Sequence, residues 1–200
     1  LTGPCGPDTE MFIDRGYEKC SDTCSPACDC GKYIEIWNDV FMQYFKNAEG
    51  KYEPLKQKNV DTGMGLDRTL CILNDVKSVY DTDLFETAKA KTEELTGRKY
   101  DESAEVRRAF RIILDHVRTA TFMIGDPRGI TPSNVDQGYV LRRIIRRAVR
   151  FGRNIDLPQG ALGRIAECFI EKYKAVYPEL ETNRERILGE LDKEEQKFSK

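Results

Sequence analysis

From Lys32 to Tyr44 the chain alternates, and it is rich in aromatic and β-branched residues, a pattern that predicts a strand. A period of two puts Ile34, Ile36, Asn38, Val40 and Met42 on one face. Tyr33, Glu35, Trp37, Asp39, Phe41 and Gln43 fall on the other. Asn47-Ala48-Glu49-Gly50 predicts a hairpin turn, with a return passage from Lys51 towards Asp61 that Pro54 makes irregular or places at an edge. The period then changes. Leu66, Leu70 and Leu73 predict a short helix, and after Tyr80 helical spacing dominates. Leu84–Leu95 is one helix and Ser103–Ile124 a longer one, with Val106, Phe110, Ile113, Val117 and Ile124 on its apolar stripe. A third helix spans Gly138–Phe151, and Glu179–Lys200 mixes both charge signs like a solvated helix. The chain is therefore α+β, with a sheet-forming part over 1–80 and a helical part over 81–200.

Between the return strand and the first helix lies Val60-Asp61-Thr62-Gly63-Met64-Gly65-Leu66-Asp67-Arg68. Gly63 and Gly65 lack the Cβ that would hold a ligand away from the backbone. Asp61 offers a cation site, and Arg68 in the first helical turn offers a forked anion site. Read as strand, glycine turn and helix, the segment suits a phosphate-bearing ligand; it equally suits a tight turn with a surface arginine. On the neighbouring strand Asn38 interrupts an apolar face, as a core amide or as a hydrogen-bonding group in a pocket. Asn38, Val40 and Asp61 converge there: charge for an ammonium, an amide, and little room for a side chain. The alternative for Asp61 is a strand-end cap.

The Gly138–Phe151 helix is split lengthwise. Val140, Leu141, Ile144, Ile145, Ala148, Val149 and Phe151 fill one half of the wheel; Arg142, Arg143, Arg146, Arg147 and Arg150 fill the other, without a carboxylate. Like charges at this spacing repel by about a few tenths of a kcal/mol per pair, which acidic helices alongside or phosphates would offset. The absence of mixed signs favours phosphates. Just before it, Pro132-Ser133-Asn134 projects an amide able to read a base-pair edge or to cap the helix.

Composition narrows the class. With 40% hydrophobic and 33% charged residues, 200 residues hold one sizeable core or somewhat more. No apolar run approaches the roughly eighteen residues of a membrane span, and no signal peptide is present, so membrane and secretion are not indicated. A net charge of −2 confines any RNA contact to a local patch. Seven cysteines are an odd number for a disulfide framework, and reduced cytoplasmic thiols are expected. Cys20, Cys24, Cys28 and Cys30, spaced C-x3-C-x3-C-x-C, form either a tetrahedral structural zinc site or a reduced cysteine-rich loop. Cys5 stands alone; Cys71 and Cys168 fall at apolar-periodic positions and are expected in the core. His116, the single histidine, suits a hydrogen-bonded structural role near a helix surface.

Four segments in order carry a resemblance: Thr2-Gly3-Pro4-Cys5-Gly6-Pro7-Asp8-Thr9-Glu10, Glu35-Ile36-Trp37-Asn38-Asp39-Val40-Phe41-Met42-Gln43, the glycine segment, and Ser133-Asn134-Val135-Asp136-Gln137-Gly138-Tyr139-Val140-Leu141-Arg142-Arg143-Ile144-Ile145-Arg146-Arg147. Together they resemble the alanyl-tRNA synthetases, class II aminoacyl-tRNA synthetases, over nearly the whole chain. The resemblance implies an internal fragment: the later part of an antiparallel-sheet catalytic domain over 1–80, with the third class II signature motif but not the first two, then a helical tRNA-recognition domain over 81–200. It implies that Asp61, Asn38 and Val40 contact alanine, Asp61 at the α-ammonium. Gly63 and Gly65 admit ATP, and Arg68 is the catalytic residue at its phosphates. It implies formation of alanyl-adenylate from alanine and Mg²⁺-bound ATP, then transfer to the 3′ end of alanine tRNA. Asn134 would contact the acceptor-stem G·U pair, and Arg142, Arg143, Arg146, Arg147 and Arg150 its phosphates. The isolated fragment, without the rest of the full-length chain, is expected not to make adenylate. The competing reading is a synthetase-like RNA-binding protein without adenylation; a stand-alone editing protein would need several histidines.

Overall fold

The computed structural model describes residues 1–199, which divide into two compact units, one ending at Thr82 and one beginning at Asp83.

The first unit is an antiparallel sheet followed by helix. Strands β1 (Gly3–Cys5), β2 (Asp8–Asp14), β3 (Tyr33–Lys46) and β4 (Tyr52–Met64) lead into α1 (Leu66–Leu73) and a 3-10 turn at Val79–Asp81. β3 is the hub, as its aromatic and β-branched alternation predicts. β1 and β2 pair with one of its edges, β4 with the other: Val40 faces Asp8 on one side and Asp61 on the other. The hairpin closes through Asn47, whose Oδ1 accepts the Glu49 and Lys51 amides at 3.0 Å each. Pro54 has the expected effect: the register slips between Met42 and Tyr44, beside Tyr44↔Pro54. β1 and β2 give no alternating signal, because glycine and proline occupy the first strand and β2 mixes polar and apolar residues without period.

One local expectation is corrected. Gly63 does not lie in a turn; it is a β4 residue paired with Asn38, and only Gly65 marks the passage, as the cap position of α1. The strand runs on because Trp37 still pairs with Met64. Of the described residues in this unit only Lys32, Cys71 and Thr82 are buried, so the sheet has no core of its own on either face.

The second unit is helical: α2 (Asp83–Thr96), α3 (Ala104–Gly125), α4 (Asp136–Arg153), α5 (Ala161–Tyr173), α6 (Pro178–Thr182) and α7 (Arg184–Ser199). α3 is central, and every residue of its predicted stripe is buried. Ser103 caps it by accepting the Val106 amide at 3.1 Å. Phe85 meets Phe169 edge to face at 6.1 Å, and Tyr100 meets Phe110 at 5.8 Å. The solvated helix expected at the end is corrected in two ways. It breaks at Asn183, whose Nδ2 donates to Gly125 O at 2.9 Å, and α7 buries Ile187, Leu191, Glu194 and Glu195. Its mixed charges disguise a core-facing row. On α4, Val140 is 51% exposed rather than buried, and Gly138 takes the inner position. Cys168 is half-buried, at the edge of the core, whereas Cys71 is enclosed and donates to Val76 O at 3.1 Å.

Candidate functional site

Three groups of side chains carry chemistry, two on the sheet unit and one on the helical unit. On the sheet, residues directly opposite one another on neighbouring strands project to the same face. The β3–β4 register sets Asp61 beside Val40 and Gly63 beside Asn38, so the three predicted residues share one face on adjacent strands. On the other edge of β3, Asp8 lies beside Val40 and Glu10 beside Asn38. The face is thus a small apolar centre, Val40, between two carboxylates, with an amide in the next row.

Asn38 Oδ1 is buried and makes no hydrogen bond among the described residues. An orphaned buried carbonyl costs about 1–3 kcal/mol. It is the kind of defect that persists where a ligand supplies the missing donor. A Cβ built on Gly63 would meet nothing within 4 Å, so the glycine leaves the surface beside Asn38 open. Asp8 and Glu10 were not legible as site residues in the sequence; their strand has no periodicity, and only the register brings them here.

Arg68 sits in the first turn of α1, as expected. Its Nη1 donates to Glu35 O at 2.9 Å and to Glu35 Oε2 at 3.0 Å. These bonds hold the side chain by one nitrogen, and it remains 46% exposed.

The second group is the cysteine loop between β2 and β3. Two tight turns shape it, closed by Cys24 N–Ser21 O at 3.1 Å and Cys28 N–Ser25 O at 2.9 Å. Its ends are tied by Lys32, whose ammonium reaches Asp14 Oδ1 at 2.8 Å and Tyr17 O at 2.6 Å. The Cys20, Cys24 and Cys28 sulfurs lie within 4.8 Å of one another, and Cys24 Sγ is 3.8 Å from Cys30 Sγ. Thiolates about 2.3 Å from a tetrahedral zinc stand roughly 3.8 Å apart, a spacing that Cys24 and Cys30 match, and Cys20, Cys24 and Cys28 form a group of three that could hold a metal ion. The electrostatics divide the thiols. Hydrogen bonding to Cys24 and Cys30 pushes Cys20 up to about 12, while the Lys32 amide holds Cys30 below its usual value.

The third group is the basic face of α4. Arg143, Arg147 and Arg150 are exposed, and Arg142 and Arg146 half-exposed. They are not equivalent. Arg146 Nε donates at 2.6 Å to Glu194, whose side chain is 4% exposed, so for this arginine an acidic helix alongside does offset the repulsion. Arg142 donates to Asn134 Oδ1. Asn134 does not cap the helix: the cap position is Val135, without a side-chain bond, and Ser133 Oγ holds the loop instead. Tyr139 lies under two guanidinium groups, Arg142 at 5.6 Å and Arg143 at 5.7 Å. Phe151 has Arg147 and, from α3, Arg108 each at 5.9 Å. Arg108 joins this face only through helix packing. His116 is half-buried and bonded to Asp115 Oδ2 at 2.9 Å, and this bond, with smaller contributions from Arg118 and Arg147 nearby, holds the Asp115 carboxyl below its usual range.

An alanine–tRNA ligase of Treponema pallidum is 52% identical over 197 residues, 98% of this chain and 33% of that protein. One from Borrelia hermsii is 49% identical over 199 residues, 100% of this chain and 34% of the relative. One from Carboxydothermus hydrogenoformans is 46% identical over 198 residues, 98% of this chain and 22% of its own length. The chain thus spans about a third or less of the curated relatives it matches. No helix among the described residues is long and apolar enough to cross a membrane. The profile described as tRNA synthetases class II (A) matches residues 1–200, and the chain belongs to that family.

Proposed function

We propose that this chain is the part of a cytoplasmic alanine–tRNA ligase that holds alanine and one side of ATP and that presents the acceptor stem of alanine tRNA. The observation that carries this reading is the unsatisfied Asn38 Oδ1, one row from Asp61 and beside an open glycine. Alanine's ammonium brings both the donor that Asn38 lacks and the positive charge that Asp61 attracts. Val40, between Asp8 and Asp61, takes the methyl group. ATP enters as its Mg²⁺ complex. Arg68, held at Nη1 by Glu35, turns its free edge to the phosphates, and Gly63 and Gly65 let the nucleotide approach the backbone. An alanine carboxylate oxygen attacks the α-phosphorus, the bond to pyrophosphate breaks, and the terminal ribose hydroxyl of the tRNA then takes the alanyl group as AMP leaves. The residues on this sheet contribute positioning and charge neutralisation.

On the helical unit, Arg143, Arg147 and Arg150 are the phosphate contacts best supported, being exposed. Arg142 orients the Asn134 amide towards the G·U pair, and Arg146 reaches the same face from its bond to Glu194. The cysteine loop is a structural zinc site of Cys20, Cys24, Cys28 and Cys30, supported by the sulfur spacing. Bound there, zinc would lock the connection between β2 and β3.

The test is alanine-dependent ATP–pyrophosphate exchange in the full-length enzyme. Asp61→Ala and Asn38→Ala should each raise the alanine KM about ten-fold or more, with the ATP KM little changed. Unchanged alanine kinetics in both variants would remove the pocket from this face.

A further inference from the structure

The start of α4 exposes an apolar cluster. Val135 is 65% exposed, Tyr139 41% and Val140 51%. The cluster sits at the end of α4 that carries Asn134, beside the arginine rows. Arg142 and Arg143, three and four residues further along the helix, set their guanidinium carbons 5.6 and 5.7 Å from the Tyr139 ring centre. Its hydroxyl makes no hydrogen bond among the described residues. An exposed tyrosine ring with cations and aliphatic groups beside it is a surface suited to a flat ligand.

Charge decides which ligand. Arg143 is exposed, and no carboxylate pairs with it among the described residues, so the ligand is anionic as well as flat. A nucleotide meets both demands, its base on the ring and its phosphate on Arg143. Within a duplex the base faces are already stacked; only an unpaired nucleotide offers a free one. We propose that Tyr139 is a stacking platform for the first unpaired nucleotide beside the acceptor stem, with Arg143 on that nucleotide's phosphate. The inference rests on the tRNA reading above and adds a contact to single-stranded RNA that Asn134 and the arginine row do not provide.

The experiment uses the full-length enzyme and two acceptor-stem hairpin RNAs carrying the G·U pair, one with an unpaired 3′ extension and one blunt. A 2-aminopurine replaces the first unpaired base. Tyr139→Ala should weaken the extended hairpin about ten-fold, the scale of one stacked base. It should leave the blunt hairpin unchanged and abolish the fluorescence quenching seen on binding, and Tyr139→Phe should restore both. Equal losses on both hairpins, or quenching that survives in Tyr139→Ala, would overturn the platform. Replacing Arg143, Arg147 and Arg150 together separates this from the parent reading. If that variant loses affinity and salt dependence while Tyr139→Ala changes nothing, the platform fails and the tRNA face stands. If neither variant affects either RNA, the tRNA face falls as well.

Discussion

Replacing Gly138 by alanine sets two known effects against each other. Inside a helix, glycine costs about 1 kcal/mol relative to alanine, so on propensity alone the variant should be more stable. The surroundings reverse the sign. A Cβ at 138 would lie 2.3 Å from Ser133 Oγ and 2.6 Å from Thr131 O. The hydroxyl can rotate away, although it then gives up the bonds that hold Val135. The Thr131 carbonyl is backbone and cannot move without carrying the loop 131–135 with it. Such overpacking costs about 1–3 kcal/mol, which exceeds the propensity gain. We therefore expect Gly138→Ala to gain nothing from propensity and to destabilise the protein by a net of up to ~2 kcal/mol. Gly189 in α7 is the control, because a Cβ there meets nothing within 4 Å; Gly189→Ala should stabilise by about 0.5–1 kcal/mol. Thermal unfolding of both variants measures the difference. Because the displaced loop carries Asn134, binding of alanine tRNA with its G·U pair and of a G·C variant should also converge for Gly138→Ala. A Gly138→Ala protein as stable as Gly189→Ala, with discrimination intact, would refute the close-approach argument and the placement of Asn134 by this loop.

Asn134→Ala should leave bulk RNA binding nearly intact but cost about 1–3 kcal/mol of G·U against G·C discrimination; equal losses for both RNAs would leave the identity contact unassigned. Arg146→Ala strands the enclosed Glu194 carboxylate and should lower stability by about 1–3 kcal/mol, whereas Arg147→Ala should not; equal melting temperatures would return Arg146 to the plain phosphate row. Protein purified without chelator should carry about one zinc per chain, and Cys30→Ser should lose metal and stability together; metal-free protein with seven titratable thiols would leave a reduced loop. The loop's anchor should also respond to acid. Lys32 and the Gly16 amide hold the Asp14 carboxyl below its usual 3.8, so the pair contributes at neutral pH and is lost as pH falls through that lowered value. A carbon-detected titration of Asp14 with a midpoint at or above 3.8 would contradict the pairing.

The pattern along the chain is enough to mark the strongly periodic elements and the residues that chemistry singles out. The β3 alternation, the α3 stripe and the split wheel of α4 were all readable. Each pattern is written within one element, and burial of one face dictates it. Asp61, Asn38 and Val40 could be grouped because a hairpin joins their strands, but the pairing of Val40 with Asp61 follows the register slip between Met42 and Tyr44 and is not set by the turn. Tertiary structure decided what depends on elements distant in the chain. Asp8 and Glu10 join the Val40 face only through the far edge of β3. α7 looked solvated because the partners of its buried carboxylates come from other elements: Arg146 meets Glu194, and the Gly160 amide donates to Glu195 Oε1 at 3.0 Å, while Glu195 Oε2 has no partner among the described residues. The five arginines looked alike until packing gave one a carboxylate, another a hydrogen bond to an amide, and left three exposed. A charge pattern shows which side chains are equivalent along a helix; only the neighbours that fold against it show which remain free.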